Sequence, residues 1–193
     1  MSISSEGAAL SLTRPRVDFA IIGLASTMSP RLISLILAVF LALTSFGQAS
    51  DKVGRKTGLP LPRFVSLKSS QVNLRAGPGQ QYPVDWVFLR KAMPVEVVDE
   101  FDVWRKIRDS EGTEGWVHET FLQSRRSVMV TGGTRALKRS NREDSETVAM
   151  AEPGVIGRLA ECREAWCRVE IAGTRGWLKR SDFWGVYPEE TVK

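Results

Sequence analysis

An internal repeat constrains the fold of this chain more than any other feature of its sequence. Two series of anchors recur in the same order, a leucine, a tryptophan and then a Gly-Trp pair, and corresponding spacings differ by a single position. Chance agreement at several anchors is improbable, so we predict a tandem duplication, residues 63–126 and 127–190. The anchors are Leu74, Trp104 and Gly115-Trp116 in the first copy and Leu137, Trp166 and Gly176-Trp177 in the second.

The pattern of the repeat predicts β-structure. Short runs rich in Val, Ile, Phe and Trp are separated by Gly, Pro, Asp and Asn, and Val95 and Val97 alternate with Glu96. No segment after residue 50 keeps a helical apolar period over three turns. Each copy is about 60 residues long, so we predict an all-β chain of two small closed or half-open barrels. The strands predicted in the first copy are Phe64–Leu67, Val72–Arg75, Trp86–Leu89, Val95–Asp99, Trp104–Arg108 and Glu114–His118.

The front of the chain has the pattern of an export signal. Leu32–Leu43 is apolar and uncharged, which is too short for the roughly 20 residues of a membrane span but suits a signal peptide. Arg31 precedes it, and small residues lead to a predicted cleavage after Ala49. Residues 1–49 are therefore interpreted as a signal peptide, with Met28 an alternative start, and the mature protein as periplasmic or secreted. An uncleaved anchor or a buried core helix is the other interpretation.

Composition limits the remaining possibilities. Residues 50–62 are polar and punctuated by Gly and Pro, which predicts a linker. Lys+Arg exceed Asp+Glu by 27 to 22, and the excess is spread along the chain, so we expect no nucleic-acid partner and membrane contact only through the export signal. One His and two Cys leave little for a metal site or a histidine-based triad. We therefore expect a monomer with no enzymatic activity, cofactor or metal.

The two cysteines, Cys162 and Cys167, are predicted to form a disulfide. If the four residues between them form a hairpin loop, the two cysteines face each other on antiparallel strands, and an oxidising compartment favours the bond. Free thiols are one alternative. A metal site is another, but it needs more ligands than His118 can add, and a redox site would want a C-x-x-C pair.

A family resemblance rests on three motifs of the first copy: Asn73–Gly79 (NLRAGPG), Trp104-x-x-Ile107 and Gly115–Val117. Together they resemble the bacterial SH3-like domain (SH3b), and the second copy is similar except that Ala136–Asn141 replaces the first motif. The resemblance spans residues 63–190 and implies two tandem SH3-like β-barrels, the second degenerate. It also implies a non-enzymatic module of a kind that is often exported and binds peptidoglycan.

Five residues are candidates for ligand binding. Arg75, Gln80 and Tyr82 lie in or beside a loop whose prolines limit its freedom, so they could be presented to a ligand at reduced entropic cost. Trp104 and Trp166 lie at hairpin exits, where an aromatic side chain either caps a barrel or forms the floor of a groove. Plain turn chemistry for the loop and core packing for the tryptophans are the competing interpretations.

Three further residues are assigned no binding role. Trp116 and Trp177 are predicted to be core residues, since the apolar pattern continues through Val117 and Leu178. His118 has no nearby nucleophile as partner and is predicted to occupy an exposed strand end.

Two functions follow from these features. The first is an exported, non-catalytic module that contacts peptidoglycan stem peptides or glycan through a groove between the long loop and the Trp hairpin. The alternative is an envelope adaptor that binds a peptide or protein through that groove or a sheet edge. An enzyme of unseen type is the remaining possibility.

Overall fold

A computed structural model describes residues 52–193, and within this range the protein is built from β-strands with two short 3₁₀ turns and no α-helix. The all-β prediction is confirmed. The predicted signal peptide and its cleavage after Ala49 lie outside the described residues. In the part that is described, no helix has the length and apolarity needed to cross a bilayer.

The region predicted to be a linker folds instead as a short hairpin. Strands β1 (Lys52–Val53) and β2 (Pro60–Leu61) pair antiparallel, and Leu61 is buried in the core of the first copy. The carboxylate of Glu100 accepts hydrogen bonds from the hairpin loop, including one of 2.7 Å from Thr57 Oγ1. The linker prediction is therefore wrong for residues 52–61. Composition could not show this, because Glu100, the partner that orders the segment, is distant in sequence.

Glu100 is a buried carboxylate that stays ionised. Its side chain is fully buried, and it also accepts a 2.8 Å bond from Arg63 and lies 3.7 Å from the guanidinium of Arg105. Burial acts to raise the pKa of Glu100, but hydrogen bonds from Thr57 and Arg63 outweigh it and lower the pKa to about 2. The N-terminal hairpin is thus held on the first copy by charge-assisted hydrogen bonds.

The first copy is one seven-stranded antiparallel sheet in the order β5-β4-β8-β7-β6-β3-β9. Inward-facing residues of all its strands meet in a single hydrophobic cluster, so the sheet curls around its own core as a half-open barrel. Its strands are β3 (Arg63–Leu67), β4 (Val72–Arg75), β5 (Val84–Phe88), β6 (Pro94–Phe101), β7 (Trp104–Arg108), β8 (Glu114–His118) and β9 (Leu122–Gln123), with a 3₁₀ turn at Glu119–Phe121.

The second copy repeats this topology strand for strand, in the order β12-β11-β15-β14-β13-β10-β16. Even the bulges correspond, since the register shifts between Val97 and Asp99 in one copy and between Leu159 and Glu161 in the other. The predicted duplication is confirmed as a pair of equivalent sheets. The strands are β10 (Ser127–Val130), β11 (Arg135–Lys138), β12 (Thr147–Ala151), β13 (Ile156–Arg163), β14 (Trp166–Ile171), β15 (Thr174–Lys179) and β16 (Phe183–Trp184), with a 3₁₀ turn at Arg180–Asp182.

The repeated Gly-Trp pairs have a packing explanation. A Cβ added to Gly115 would lie 2.5 Å from Leu74 Cγ, and a Cβ added to Gly176 would lie 2.5 Å from Leu137 Cγ. Both leucines are completely buried. Glycine is therefore required where strands β8 and β15 cross the leucine of the neighbouring strand, which is why leucine and Gly-Trp recur together.

The tryptophans that follow these glycines point away from the core. Strand β8 alternates between buried Gly115 and Val117 and half-buried Trp116, and strand β15 places Trp177 in the same way. The prediction that Trp116 and Trp177 are core residues is wrong. Side chains alternate between the two faces of a strand, so a tryptophan beside two inward-facing residues must face outward.

The disulfide between Cys162 and Cys167 is present and joins directly opposed residues of β13 and β14. The hairpin loop is shorter than predicted: Arg163 and Trp166 also pair, which leaves a two-residue turn beginning at Glu164 with a φ of 48°. The prediction of the bond is confirmed, because shortening the loop by one pair keeps the two cysteines opposite each other.

The two sheets pack against each other through an aromatic cluster. Phe64 of β3 meets the ring of Trp184 edge-on at 4.8 Å and that of Tyr187 at 4.7 Å. Tyr187 Oη donates a 2.7 Å hydrogen bond to Glu96, and burial together with this bond raises the pKa of Tyr187. Arg126 lies over the Phe64 ring at 5.6 Å. Residues 52–193 consequently form one compact unit.

Candidate functional site

An open groove on the outer face of the first copy gathers several of the predicted binding residues. Its volume is about 560 Å³, within the range of small-molecule sites. Strand β4, the loop after it, strand β7 and the end of β8 supply its walls. We call it the Trp104 groove; it is lined by Gln71, Asn73, Arg75, Gln80, Trp104, His118, Thr120 and Phe121.

Trp104 and His118 form the aromatic part of the groove. They are directly paired across β7 and β8, and their rings meet edge-on with centroids 5.4 Å apart. The backbone N–H of Thr120 donates to His118 Nδ1 at 3.3 Å, and Thr120 Oγ1 lies 2.9 Å from the same nitrogen. The groove thus combines a half-buried indole with a neighbouring imidazole and hydroxyl.

Arg75 organises the loop that forms the opposite wall. Its Nη1 donates to the carbonyl oxygens of Gln80 and Tyr82 at 3.3 and 2.7 Å. A further backbone bond of 3.1 Å, from Ala76 N–H to the Pro83 oxygen, closes the base of the loop. The guanidinium has five N–H donors, so one face of Arg75 shapes the loop and others remain for an anionic ligand.

Two of the predicted binding residues do not line this groove. The ring of Tyr82 lies against Gly77, where a Cβ would be 2.5 Å from Tyr82 Cε1, so Tyr82 supports the loop. Trp166 belongs to the second copy and occupies the position there that Trp104 has in the first. Arg75, Gln80 and Trp104 are brought together, and their binding role stays a prediction.

The equivalent surface of the second copy carries an ion pair beside its tryptophan. Lys179 stands where His118 stands in the first copy, and its Nζ lies 5.6 Å from the centroid of the Trp166 ring. Glu143 holds that ammonium at 2.5 Å. The indole of Trp166 is therefore overlaid by a paired charge.

Sequence reasoning missed several groove residues. His118 is predicted to be an exposed strand end without a role, but it is half-buried and faces Trp104. Asn73 is separated from Arg75 by buried Leu74, so the period of two could have placed both on the outer face. That Thr120 and Phe121 reach the same groove could not be read from a pattern, because a 3₁₀ turn redirects the chain there.

The hydroxyl of Thr120, which also lines the groove, lies 2.9 Å from His118 Nδ1. Within residues 52–193, no group of three or more His, Cys, Asp and Glu side chains is positioned to hold a metal ion. The lining is instead rich in amide, guanidinium and aromatic groups, which recognise ligands by hydrogen bonding and ring contact.

Comparison with known families agrees with this architecture. The family model described as the bacterial SH3 domain matches residues 68–123 and residues 139–185, more than half of the chain. The chain belongs to the bacterial SH3 domain family. The two matches fall on the two sheets, so the protein has a tandem pair of bacterial SH3 domains, and the resemblance noted in the sequence is confirmed. No curated protein matches the chain.

Three solved structures match the chain at low similarity. NlpC2 from Trichomonas vaginalis matches with 7% identity and a TM-score of 0.31 over 67% of this chain and 50% of its own. NlpC1 from the same organism matches with 9% identity and a TM-score of 0.31 over 71% and 50%. An NlpC/P60 family protein from Bacillus cereus matches with 17% identity and a TM-score of 0.29 over 63% and 56%. The chain thus spans about half the length of these proteins, and similarity this low transfers no activity to it.

Proposed function

We propose that the protein is an exported, non-catalytic module that binds peptidoglycan through the Trp104 groove of its first SH3 domain. Membership of the bacterial SH3 domain family supports a cell-wall-binding module, and the disulfide suits a periplasmic or extracellular setting. The single observation that favours this groove is the half-buried Trp104 with the ring of His118 beside it, whereas Lys179, paired with Glu143, lies over the equivalent Trp166.

The chemistry of the lining matches peptidoglycan. A sugar ring or an alanine methyl group can pack on the indole of Trp104, while the amides of Asn73 and Gln80 can exchange hydrogen bonds with hydroxyl or peptide groups. The free donors of Arg75 suit a stem-peptide carboxylate. Such a site needs no reacting group, which supports binding without catalysis.

Titration with soluble muropeptides tests the proposal. We expect binding to be detected by calorimetry and by tryptophan fluorescence, and to be lost in Trp104→Ala. The matched control is Trp166→Ala, which removes the equivalent tryptophan of the second SH3 domain and leaves binding intact. Circular dichroism and thermal unfolding check that both variants fold. Equal loss in the two variants, or failure of the wild type to bind muropeptides and to sediment with isolated sacculi, would refute the assignment.

An envelope adaptor is the second candidate, and one observation favours it. Strand β5 is a free edge of the first sheet, and Trp86 and Leu89 at this edge are 57% and 72% exposed. An extended peptide could add to such an edge. An envelope protein captured by the wild type but not by Trp86→Lys, without any binding to sacculi, would favour this function over the first.

A further inference from the structure

The outer face of β13, β14 and β15 in the second SH3 domain carries several arginines. The strand register places Arg158, Glu170 and Arg175 side by side across the three strands. Glu170 accepts a 2.7 Å bond from Arg158 and a 3.1 Å bond from Arg175. Hydrogen bonds from both arginines lower the pKa of Glu170, so the row keeps two positive charges and one negative charge.

A second group on the same face repeats the arrangement. Glu161 lies between Arg163 at 3.0 Å and Arg168 at 3.1 Å. We call the four arginines with their two glutamates the basic face. Its net charge is positive, because each carboxylate is shared by two guanidinium groups.

The arginine and glutamate side chains of the basic face differ in how far they are exposed to solvent. The arginine side chains are 49 to 73% exposed, whereas those of Glu161 and Glu170 are only 20% and 28% exposed. The carboxylates therefore lie close to the sheet and the guanidinium groups stand above them. Each guanidinium has five N–H donors, and Arg158, Arg163 and Arg175 each give only one of them to a glutamate, so further donors remain on these exposed side chains.

The fold of the SH3 domain does not depend on this pattern of charges. At the corresponding positions of the first SH3 domain the row is Glu96, Arg108 and Glu114, with the signs reversed. Both domains nonetheless form the same sheet in the same register. The positive sign in the second domain is thus a property of its surface chemistry and is not needed for folding.

The shape and composition of the face indicate a phosphate-bearing surface. A concavity of about 260 Å³, large enough for a phosphate group, is lined by Arg158, Arg168 and Arg175 together with Glu170, which is already paired with two of them. Arginine forms paired hydrogen bonds to phosphate. Trp177 lies on the same outer face, half-buried, with the guanidinium carbon of Arg163 5.9 Å from its ring centroid.

We propose that the basic face docks the protein on an anionic phospholipid surface, with lipid phosphates bound by the four arginines. The four exposed arginines are spread over three strands of one sheet face, so their charge complements an extended anionic surface, which favours a membrane over a soluble polyanion. The site lies on the second SH3 domain and does not depend on peptidoglycan binding by the first. It goes beyond the sequence prediction, which allowed membrane contact only through residues 1–49.

Vesicle flotation of the full chain, as recovered after export, tests the proposal. Vesicles of phosphatidylcholine are compared with vesicles in which about a third of the lipid is phosphatidylglycerol. The wild type and the variants described below share the segment before residue 50, so its contribution cancels when their binding is compared. We expect binding to the anionic vesicles alone, weakening steeply as salt is raised.

A pair of double variants tests whether binding to anionic vesicles depends on the arginines of the basic face. The double variant Arg158→Gln/Arg175→Gln is expected to bind anionic vesicles about 30-fold more weakly, about fivefold per arginine. The control Arg139→Gln/Arg142→Gln has the same net charge but removes exposed arginines of the loop between β11 and β12, and we expect it to bind like the wild type. Thermal unfolding confirms that both double variants remain folded.

Several results would overturn the docking proposal. One is equal binding to neutral and anionic vesicles, and another is equal loss in the face variant and the loop variant. Binding to soluble polyphosphate without binding to vesicles would also overturn it, since it would identify a soluble polyanion as the partner. Loss of muropeptide binding in Trp104→Ala has no bearing on this test.

Discussion

The two SH3 domains differ in the residues that join the strands of one equivalent hairpin. The residue pair next to the end of the β6–β7 hairpin is Glu100 and Arg105, and the equivalent pair of the β13–β14 hairpin is Cys162 and Cys167. All four side chains are buried. One hairpin is closed by a buried charge cluster and the other by a covalent bond, so the fold requires a firm cross-strand contact at this position and accepts either kind.

The terminal segments explain why the two solutions differ. The carboxylate of Glu100 also accepts hydrogen bonds from the loop of the β1–β2 hairpin. A carboxylate has enough acceptor sites to bond this loop and the neighbouring arginines at once. Cys162 is instead bonded through its backbone N–H to the oxygen of Val192 in the C-terminal tail, at 2.9 Å. Its side chain is free for the disulfide because its own contact with the tail uses only the backbone N–H.

The largest effect is expected from removing the charge cluster of the first domain. Glu100→Ala leaves Arg63 and Arg105 buried without this carboxylate and detaches the β1–β2 hairpin, so we expect the free energy of unfolding to fall by about 3 kcal/mol. Urea denaturation measures it. The control Glu146→Ala breaks an exposed pair with Arg139 and should cost under about 0.5 kcal/mol. Similar losses in both variants would show that burial of Glu100 is unimportant.

The same carboxylate makes the first domain sensitive to acid in a way that a disulfide is not. The pKa of Glu100 falls from 4.5, its ordinary value, to about 2 in the folded protein. A lowered pKa stabilises the fold fully above pH 4.5, and this contribution is lost as the pH drops towards 2. Urea unfolding at pH 7, 5 and 3 should show a smaller loss of stability for Glu100→Gln than for the wild type. Parallel pH curves would contradict the assignment.

Breaking the disulfide should have a smaller effect. The bond closes a loop only five residues apart in sequence, and the chain-entropy model gives about 2 kcal/mol for it. Reduction by dithiothreitol should lower the free energy of unfolding by this amount, as measured with urea. The control Cys162→Ala/Cys167→Ala should not respond to the reductant. A response in that variant would mean that the reductant acts elsewhere.

The smallest effect concerns the contact that joins the two domains. Tyr187→Phe removes the 2.7 Å hydrogen bond to Glu96 but keeps the ring against Phe64, so we expect a loss of about 1 kcal/mol. The measurement is thermal or urea unfolding, with Tyr82→Phe as the control on an exposed ring. A loss for Tyr82→Phe as large as that for Tyr187→Phe would exclude a specific role for the inter-domain bond.

Local patterns predicted much of the fold and part of the candidate site. Strand positions followed from alternation and turn residues, and the pairing of Cys162 with Cys167 followed because direct opposition in a hairpin depends only on their spacing. Loop and hairpin positions indicated Arg75, Gln80 and Trp104 as candidates, and the structure places them around one groove.

Local sequence patterns could not predict contacts between segments that are distant in the chain. The β1–β2 hairpin depends on Glu100, and the aromatic cluster of Phe64 with Tyr187 spans almost the whole described chain. The basic face was hidden for the same reason: its arginines are spread over three strands, and a modest net charge says nothing about which of them share a surface.

The order of the residues determined that this chain would form two similar curled sheets, because alternation, turns and the leucine–glycine packing pair are all encoded within each repeat. Which surface of each sheet remains open was decided only in three dimensions. An ammonium group lies over Trp166 where an imidazole ring lies beside Trp104, and Glu96 is bonded to Tyr187 while Arg158 stays exposed. Those differences depend on cross-strand register and on the interface between two otherwise equivalent domains.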